Sequence, residues 1–216
     1  GSGTVYLAER IDGDLRQSVA LKLLQLTSEP DATLARRFAT ERQILSRLNH
    51  PNIAHLIDGG LTAEGRPFLA TEYVDGQPID AWCESQRFDI EARIVLFQNV
   101  LAAVDYAHRH MVIHRDLKPG NILVSREGEV KLLDFGIARL LDDSESRTGA
   151  TDTSEPGMTL IYASPEQIEG DGLTSATDVY SLGVILYELI TGRRPFDHLA
   201  SAHLIPQAIL EGHIAP

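Results

Sequence analysis

Cysteine, cationic clusters and long apolar runs are scarce or absent in this sequence of 216 residues. The one cysteine, Cys83, excludes an internal disulfide, which fits a reducing compartment, and we expect a half-buried side chain without a role in chemistry. No apolar run approaches the ~18 to 20 residues of a membrane span, and no signal-peptide pattern opens the chain. We therefore expect a cytoplasmic domain, and any membrane anchor of the whole protein would lie outside this chain.

The charge balance is acidic, with 31 Asp and Glu against 19 Lys and Arg. Because clustered cations bind phosphate backbones and anionic lipids, and the basic residues here are scattered, the composition argues against a nucleic-acid or anionic-membrane surface. The eight His and the single Cys lack the spacing of a metal-ligand set. With 43% apolar residues, the chain is long enough to bury a substantial core.

The N-terminal part predicts two strands, Thr4–Glu9 and Ser18–Leu26, joined by a turn at Asp12-Gly13-Asp14. Both faces of the second strand are apolar, and Lys22 interrupts one of them. Lys22 therefore stands on a strand face that the pattern predicts to be buried.

A helix is predicted over Asp31–Leu48. Glu41 falls at the centre of its apolar stripe, beside Leu34, Phe38, Leu45 and Leu48. A carboxylate there is costly unless it is paired, so we predict an ion pair between Glu41 and Lys22. The alternative is that both side chains extend outwards into solvent.

The stretch His114-Arg115-Asp116-Leu117-Lys118-Pro119-Gly120-Asn121 is a predicted loop, because its Pro and Gly exclude a regular helix. Strands predicted at Ile122–Val124 and Glu129–Leu133, with a turn at Gly128, follow it. This hairpin brings Asn121 beside Asp134, and such an amide and carboxylate pair is suited to Mg²⁺ with substrate phosphates. Asp116 is placed to meet a substrate.

Five segments occur in the order and spacing of a protein kinase: Val19-Ala20-Leu21-Lys22, His114 to Asn121, Asp134-Phe135-Gly136, Ser164-Pro165-Glu166 and Asp178 to Phe196. The sequence strongly resembles a bacterial eukaryotic-like serine/threonine protein kinase over nearly its whole length. The resemblance implies a two-lobed α+β fold, with a small antiparallel-sheet lobe carrying one helix at residues 1–74 and a larger, mainly helical lobe at residues 75–216. It also implies transfer of the ATP γ-phosphate to a Ser or Thr hydroxyl of a protein, with ATP and Mg²⁺ in the cleft between the lobes.

Within that resemblance, Asp116 is the catalytic base, Lys118 assists at the γ-phosphate, and Asn121 and Asp134 hold Mg²⁺. Lys22 holds the α- and β-phosphates and pairs with Glu41. Thr71 is the gatekeeper, and the hinge offers backbone groups to adenine. The further ATP-binding residues implied are Gly3, Val5, Ala20, Glu72, Val74 and Leu123.

Lys118 and Thr159, which lies just before the Ser164-Pro165-Glu166 segment, resemble the residues of serine/threonine rather than tyrosine kinases, and Thr159 is implied in the substrate pocket.

Asp178 is either an ordinary cap of a predicted helix, Val179–Ile190, or, by resemblance, a brace beneath the catalytic loop. Glu166 is implied as structural support. In the family it pairs with a later Arg, yet no Arg follows Arg194 in this chain.

The chain opens without Met, inside what resembles the glycine-rich loop, of which only Gly3 and Val5 match. We therefore expect a fragment of a longer protein, which could be inactive by itself. The alternative function is a catalytically inactive pseudokinase that serves as an ATP-binding scaffold, although every catalytic position present in the chain is intact.

The segment Asp142–Gly157 is rich in Ser, Thr and acidic residues and has no apolar periodicity, so we expect a mobile loop. Arg115, beside the base, resembles residues that bind a phosphate on this segment, with Arg139 as a possible helper. The alternative is a solvated loop without a regulatory role. The autophosphorylation sites that the resemblance implies are Thr148, Thr151, Thr153 and Ser154.

Overall fold

The computed structural model describes residues 3–24, 32–135, 160–199 and 201–212. Its N-terminal part contains a four-stranded antiparallel sheet in the order β1-β2-β4-β3. The strands are β1 (Gly3–Asp12), β2 (Leu15–Leu24), β3 (Leu56–Leu61) and β4 (Pro67–Glu72). Gly13 has a φ of +60° in the predicted turn between β1 and β2, a backbone conformation that glycine adopts without strain.

Helix α1 (Ala32–Leu45) packs on this sheet through Phe38, which is buried against Leu24 and Leu69. The helix ends one turn earlier than the predicted Leu48. The amide of Leu48 donates to the carbonyl of Leu45, which closes a tight turn, and the Leu48 side chain is buried against Ala107 and Val112 of the larger part of the chain. Phe38 thus packs against the sheet, whereas Leu48, just after the helix, packs against the larger part of the chain.

The larger part contains a small three-stranded antiparallel sheet and five α-helices among the residues that the structure describes. The strands are β5 (Gly76–Pro78), β6 (Ile122–Ser125) and β7 (Val130–Leu132), in the order β5-β6-β7. The helices are α2 (Ile79–Ser85), α3 (Ile90–Arg109), α4 (Pro165–Glu169), α5 (Ser175–Thr191) and α6 (Ile205–Glu211). None of these helices, nor α1, is both long and apolar enough to cross a membrane.

Helices α3 and α5 form the centre of the larger core. Val100 of α3 and Ile185 of α5 are fully buried, and burial of each such side chain contributes about 1.5–3 kcal/mol. Cys83 of α2 belongs to the same core and is more deeply buried than predicted, and this burial raises the pKa of its thiol. Packing between α3 and α5 therefore fixes the platform on which the loops of this part rest.

The start of α5 corrects one prediction. The helix begins at Ser175 rather than Val179, because the Thr174 hydroxyl accepts a hydrogen bond from the amide of Ala176 and acts as the cap. Asp178 therefore lies inside the first turn and is not the cap of the helix. The helix ends at Thr191, one residue beyond the predicted Ile190, and Gly192 caps it with a φ of +69°.

Candidate active site

Asp178 of α5 holds the loop after α3, residues 114–121, by hydrogen bonds to its backbone. Its Oδ2 accepts the amide of His114 at 2.8 Å, and its Oδ1 accepts the amide of Arg115 at 2.9 Å. His108 of α3 donates from Nε2 to the same Oδ2 at 2.7 Å. A side chain that is only 1% exposed thus joins α3, α5 and the loop, which is the geometry that a brace requires.

Three polar side chains converge on this loop. Lys118 Nζ lies 2.9 Å from Asp116 Oδ2, and Asn121 Nδ2 lies 3.0 Å from the same oxygen. Asn121 Nδ2 also donates to the backbone carbonyl of Asp116 at 2.7 Å. The Asp116 carboxylate is therefore oriented by two donors, and both of its neighbours come from the short segment that the sequence singled out.

The hairpin of β6 and β7 brings Asn121 towards Asp134, as its pattern predicts. Ile122 is paired with Leu132, and the amide of Leu133 donates to the carbonyl of Asn121 at 2.8 Å. Because the amide nitrogen of Asn121 is used by Asp116, its oxygen is the atom suited to a cation. That oxygen and the Asp134 carboxylate are hard ligands that fit Mg²⁺ with substrate phosphates. Among the described residues there is no cluster of three or more His, Cys, Asp or Glu that could hold a metal.

The predicted ion pair between Lys22 and Glu41 is wrong for this structure. Lys22 Nζ instead lies 3.0 Å from Asp134 Oδ2, across the cleft between the two sheets. Glu41 is half-buried, and burial raises the pKa of its carboxyl group, with the charge of Arg115 opposing the rise. The apolar stripe located Glu41 on the inner side of α1 but could not give the distance from α1 to β2, and this distance decides which carboxylate Lys22 meets.

Beside Lys22, the cleft holds a small cavity of about 30 Å³. Thr71, at the end of β4, and Asp134 line it together with Lys22. Its apolar walls come from both parts of the chain and include Leu24, Leu45, Leu48, Ile53, Leu56, Leu69 and Phe135. The predicted gatekeeper, phosphate-binding lysine and metal ligand therefore face one space.

The remaining predicted nucleotide contacts are not among the residues that line this cavity. Ala20 is paired with Thr71, and Leu123 is half-buried on β6. A Cβ at Gly3 would lie 2.1 Å from the carbonyl oxygen of Leu23, so only glycine fits there. Val5, by contrast, has an exposed side chain.

In the hinge, the amide of Glu72 already donates to the carbonyl of His55, and its carboxylate pairs with Lys131 at 2.8 Å. The backbone carbonyl of Glu72 is therefore the group suited to a nucleotide. Val74 is half-buried in the segment between β4 and β5, where the boundary between the predicted lobes falls.

The remaining predicted site residues are Glu166, which lies on α4, and a group that the structure does not describe. Glu166 accepts a hydrogen bond from the Thr177 hydroxyl at 2.7 Å. Burial acts to raise the pKa of Glu166, but hydrogen bonds, chiefly from Thr177, outweigh it and hold this pKa below its ordinary value. Thr148, Thr151, Thr153, Ser154, Thr159 and Arg139 lie outside the described residues.

The sequence did not predict two sets of contacts, one around Gln167 and one around Glu188. Gln167 of α4 bridges the amide of Ser164 and the carbonyl of Arg115. The Tyr162 hydroxyl donates to Glu188 at 2.5 Å, and Arg194 also pairs with Glu188. A Ser followed three residues later by Gln signals a helix cap, which could have identified the first of these contacts.

Comparison with known proteins agrees with this geometry. The chain is 39% identical over 218 residues to the serine/threonine-protein kinase PknJ of Mycobacterium tuberculosis, an alignment that covers 99% of this chain and 35% of PknJ. It is 41% identical over 202 residues to the serine/threonine-protein kinase pkn3 of Myxococcus xanthus, covering 91% of this chain and 37% of that protein. The chain thus spans about a third of the length of these relatives.

A crystal structure of the Mycobacterium tuberculosis PknI kinase domain, a C20A mutant, has a TM-score of 0.67 to this chain at 25% identity. The match covers 96% of this chain and 78% of the PknI chain, and it confirms the predicted protein-kinase fold. The sequence model of the protein kinase domain matches residues 1–213. With its α+β fold, its cleft and relatives that are named serine/threonine-protein kinases, this chain belongs to the protein kinase domain family.

Proposed function

We propose that the protein containing this chain transfers the γ-phosphate of ATP to Ser or Thr hydroxyls of protein substrates. The observation that carries the proposal is that Lys118 and Asn121 both contact the Asp116 carboxylate. The hairpin brings Asn121 beside Leu133, the neighbour of Asp134, and Asp134 pairs with Lys22. The named serine/threonine kinases among the relatives support the choice of acceptor. The residues that a pseudokinase would lack, Lys22, Asp116, Asn121 and Asp134, are all present in this chain.

In the proposed reaction, Asp116 accepts the proton of the acceptor hydroxyl as its oxygen bonds to the γ-phosphorus and the bond to ADP breaks. Lys118 neutralises charge on the transferring group, and Lys22 exchanges Asp134 for the ATP phosphates. Asn121 and Asp134 are the residues that would hold Mg²⁺, whose chemistry is to neutralise the phosphate charge.

Regulation by autophosphorylation is part of the same proposal. Arg115 is next to the base, and its backbone is fixed by Asp178, so a phosphate bound to its guanidinium would be held close to the site of transfer. We propose Thr148, Thr151, Thr153 and Ser154 as the phosphorylated residues, with the threonines favoured by the family resemblance.

One assay tests these points. The purified protein is incubated with γ-labelled ATP, Mg²⁺ and a protein acceptor, and the labelled amino acids and autophosphorylation sites are identified. We expect phosphoserine and phosphothreonine, loss of transfer with EDTA, and recovery with excess Mg²⁺. Transfer to tyrosine alone, or transfer without a divalent metal, contradicts the proposal. Autophosphorylation only at residues other than Thr148, Thr151, Thr153 and Ser154 contradicts the regulatory part.

A further inference from the structure

Arg115 has a backbone conformation that needs support. Its φ is +67°, in the left-handed region that side chains other than glycine rarely adopt. Asp178 holds the amide on its N-terminal side, as described above. The carbonyl on its C-terminal side belongs to the peptide that leads into Asp116, so the orientation of this peptide sets the direction in which the Asp116 side chain leaves the backbone.

Gln167 holds that carbonyl. Its Nε2 donates to Arg115 O at 2.8 Å, and its Oε1 accepts the amide of Ser164 at 3.1 Å. The orientation of the Gln167 amide follows from its partners, because a carbonyl can only accept and a backbone N–H can only donate. One half-buried side chain therefore links the loop of the base to the buried segment Ile161–Ser164.

The ordinary interpretation of Gln167 is that it completes the cap of α4, in which its oxygen accepts from the first residue of the cap. That role uses only the oxygen. The nitrogen reaches out of α4 to a loop 52 residues away in the sequence, and the helix gains nothing from this contact. The two ends of the side chain therefore serve separate purposes, and a substitution that changes one end alone can separate them.

We propose that Gln167 is a positioning residue for phosphoryl transfer, which acts by fixing the peptide between Arg115 and Asp116. The proposal rests on the proposed function, because it assumes that Asp116 is the base. Gln167 touches neither substrate in this role. Its loss should lower kcat, through misplacement of the base, and leave the binding of ATP unchanged.

Gln167→Glu is the discriminating variant. Glutamate retains an oxygen that accepts from Ser164, so the cap is preserved, but its carboxylate has no hydrogen to donate to Arg115. We expect kcat to fall about 10- to 100-fold near neutral pH, with the KM for ATP and the melting temperature unchanged. When the pH is lowered, the protonated acid can donate again, so the ratio of variant to wild-type kcat should rise.

Two further variants complete the experiment. Gln167→Met has no group that can donate at any pH, so its kcat ratio should stay low throughout. Gln98→Glu, at an exposed position of α3, is the control for the added charge and should match wild type. A Gln167→Glu protein with wild-type kcat, or with a pH-independent loss that accompanies a lower melting temperature, overturns the positioning role. A wild-type protein that transfers no phosphate to Ser or Thr overturns the proposed function, and the positioning role with it.

Discussion

His114 shows how a single residue can tie the site to pH. The side chain is 1% exposed, and both ring nitrogens are used: Nε2 lies 2.7 Å from the carbonyl of Leu133, and Nδ1 accepts the amide of Asp116 at 3.3 Å. These contacts suit the neutral ring, because protonated Nδ1 could no longer accept. Burial lowers the pKa of His114, and the nearby carboxylates of Asp178, Asp116 and Asp134 oppose this shift only in part.

The lowered pKa predicts a loss of stability in mild acid. As the pH falls below about 6.5, the unfolded chain takes up a proton at His114 that the folded chain resists. The free energy of unfolding should therefore decrease by at most ~1.4 kcal/mol per pH unit, until the pH reaches the pKa of the folded state. Denaturant unfolding of wild type and His114→Asn over about pH 5 to 8 measures this contribution as the difference between the two curves.

The raised pKa of Glu41 has the opposite effect on stability. As the pH rises from the ordinary pKa of a glutamate towards the pKa of Glu41 in the folded state, the free energy of unfolding decreases. The comparison with His114→Asn separates the two contributions. His198→Asn, at an exposed position, serves as the matched control and should retain the wild-type pH dependence. Parallel curves for wild type and His114→Asn would show that His114 does not carry the effect.

At the scale of elements, the structure depends on the contact between α5 and the loop after α3. Asp178 accepts two backbone amides and one imidazole, so an amide side chain cannot replace it, because its NH₂ group would face a donor. Asp178→Asn should lower the free energy of unfolding by about 2–4 kcal/mol, since a buried donor loses its acceptor.

Asp171→Asn, at an exposed position before α5, is the control for the Asp178 variant. Equal denaturation midpoints for the two variants would contradict the bracing role.

The sequence predicted the elements better than their ends. Apolar runs on either side of a turn located β1 with β2 and β6 with β7, and the helical stripe located α1, because these patterns are local properties of the chain. The end of α1 and the start of α5 were each misplaced by about a turn. Leu48 continues the apolar stripe but packs on the larger part, and Thr174 caps α5 in a polar stretch that the apolar pattern ignores.

At the scale of the whole molecule, the sequence predicted those parts of the cleft whose residues are close together in the chain. Asp116, Lys118 and Asn121 lie within one short loop, and the hairpin brings Asp134 to them, so spacing alone placed four groups together. Contacts between distant elements were not predictable. The pairing of Lys22 depends on where α1 packs against the sheet, and the bridge from Gln167 depends on where α4 lies relative to the loop.

The central claim is that Asp116 acts as the base of a kinase rather than as part of an inactive scaffold. The most direct measurement compares the full-length wild-type protein with its Asp116→Asn variant, both for phosphate transfer to a protein acceptor and for ATP binding by calorimetry. Asp105→Asn, at an exposed position of α3, is the control. We expect Asp116→Asn to lose about 10²- to 10⁴-fold in kcat with the Kd for ATP nearly unchanged, because Asp116 orients the acceptor hydroxyl and not the nucleotide. Comparable turnover in Asp116→Asn and wild type, or ATP binding without transfer in the wild type, would contradict the claim.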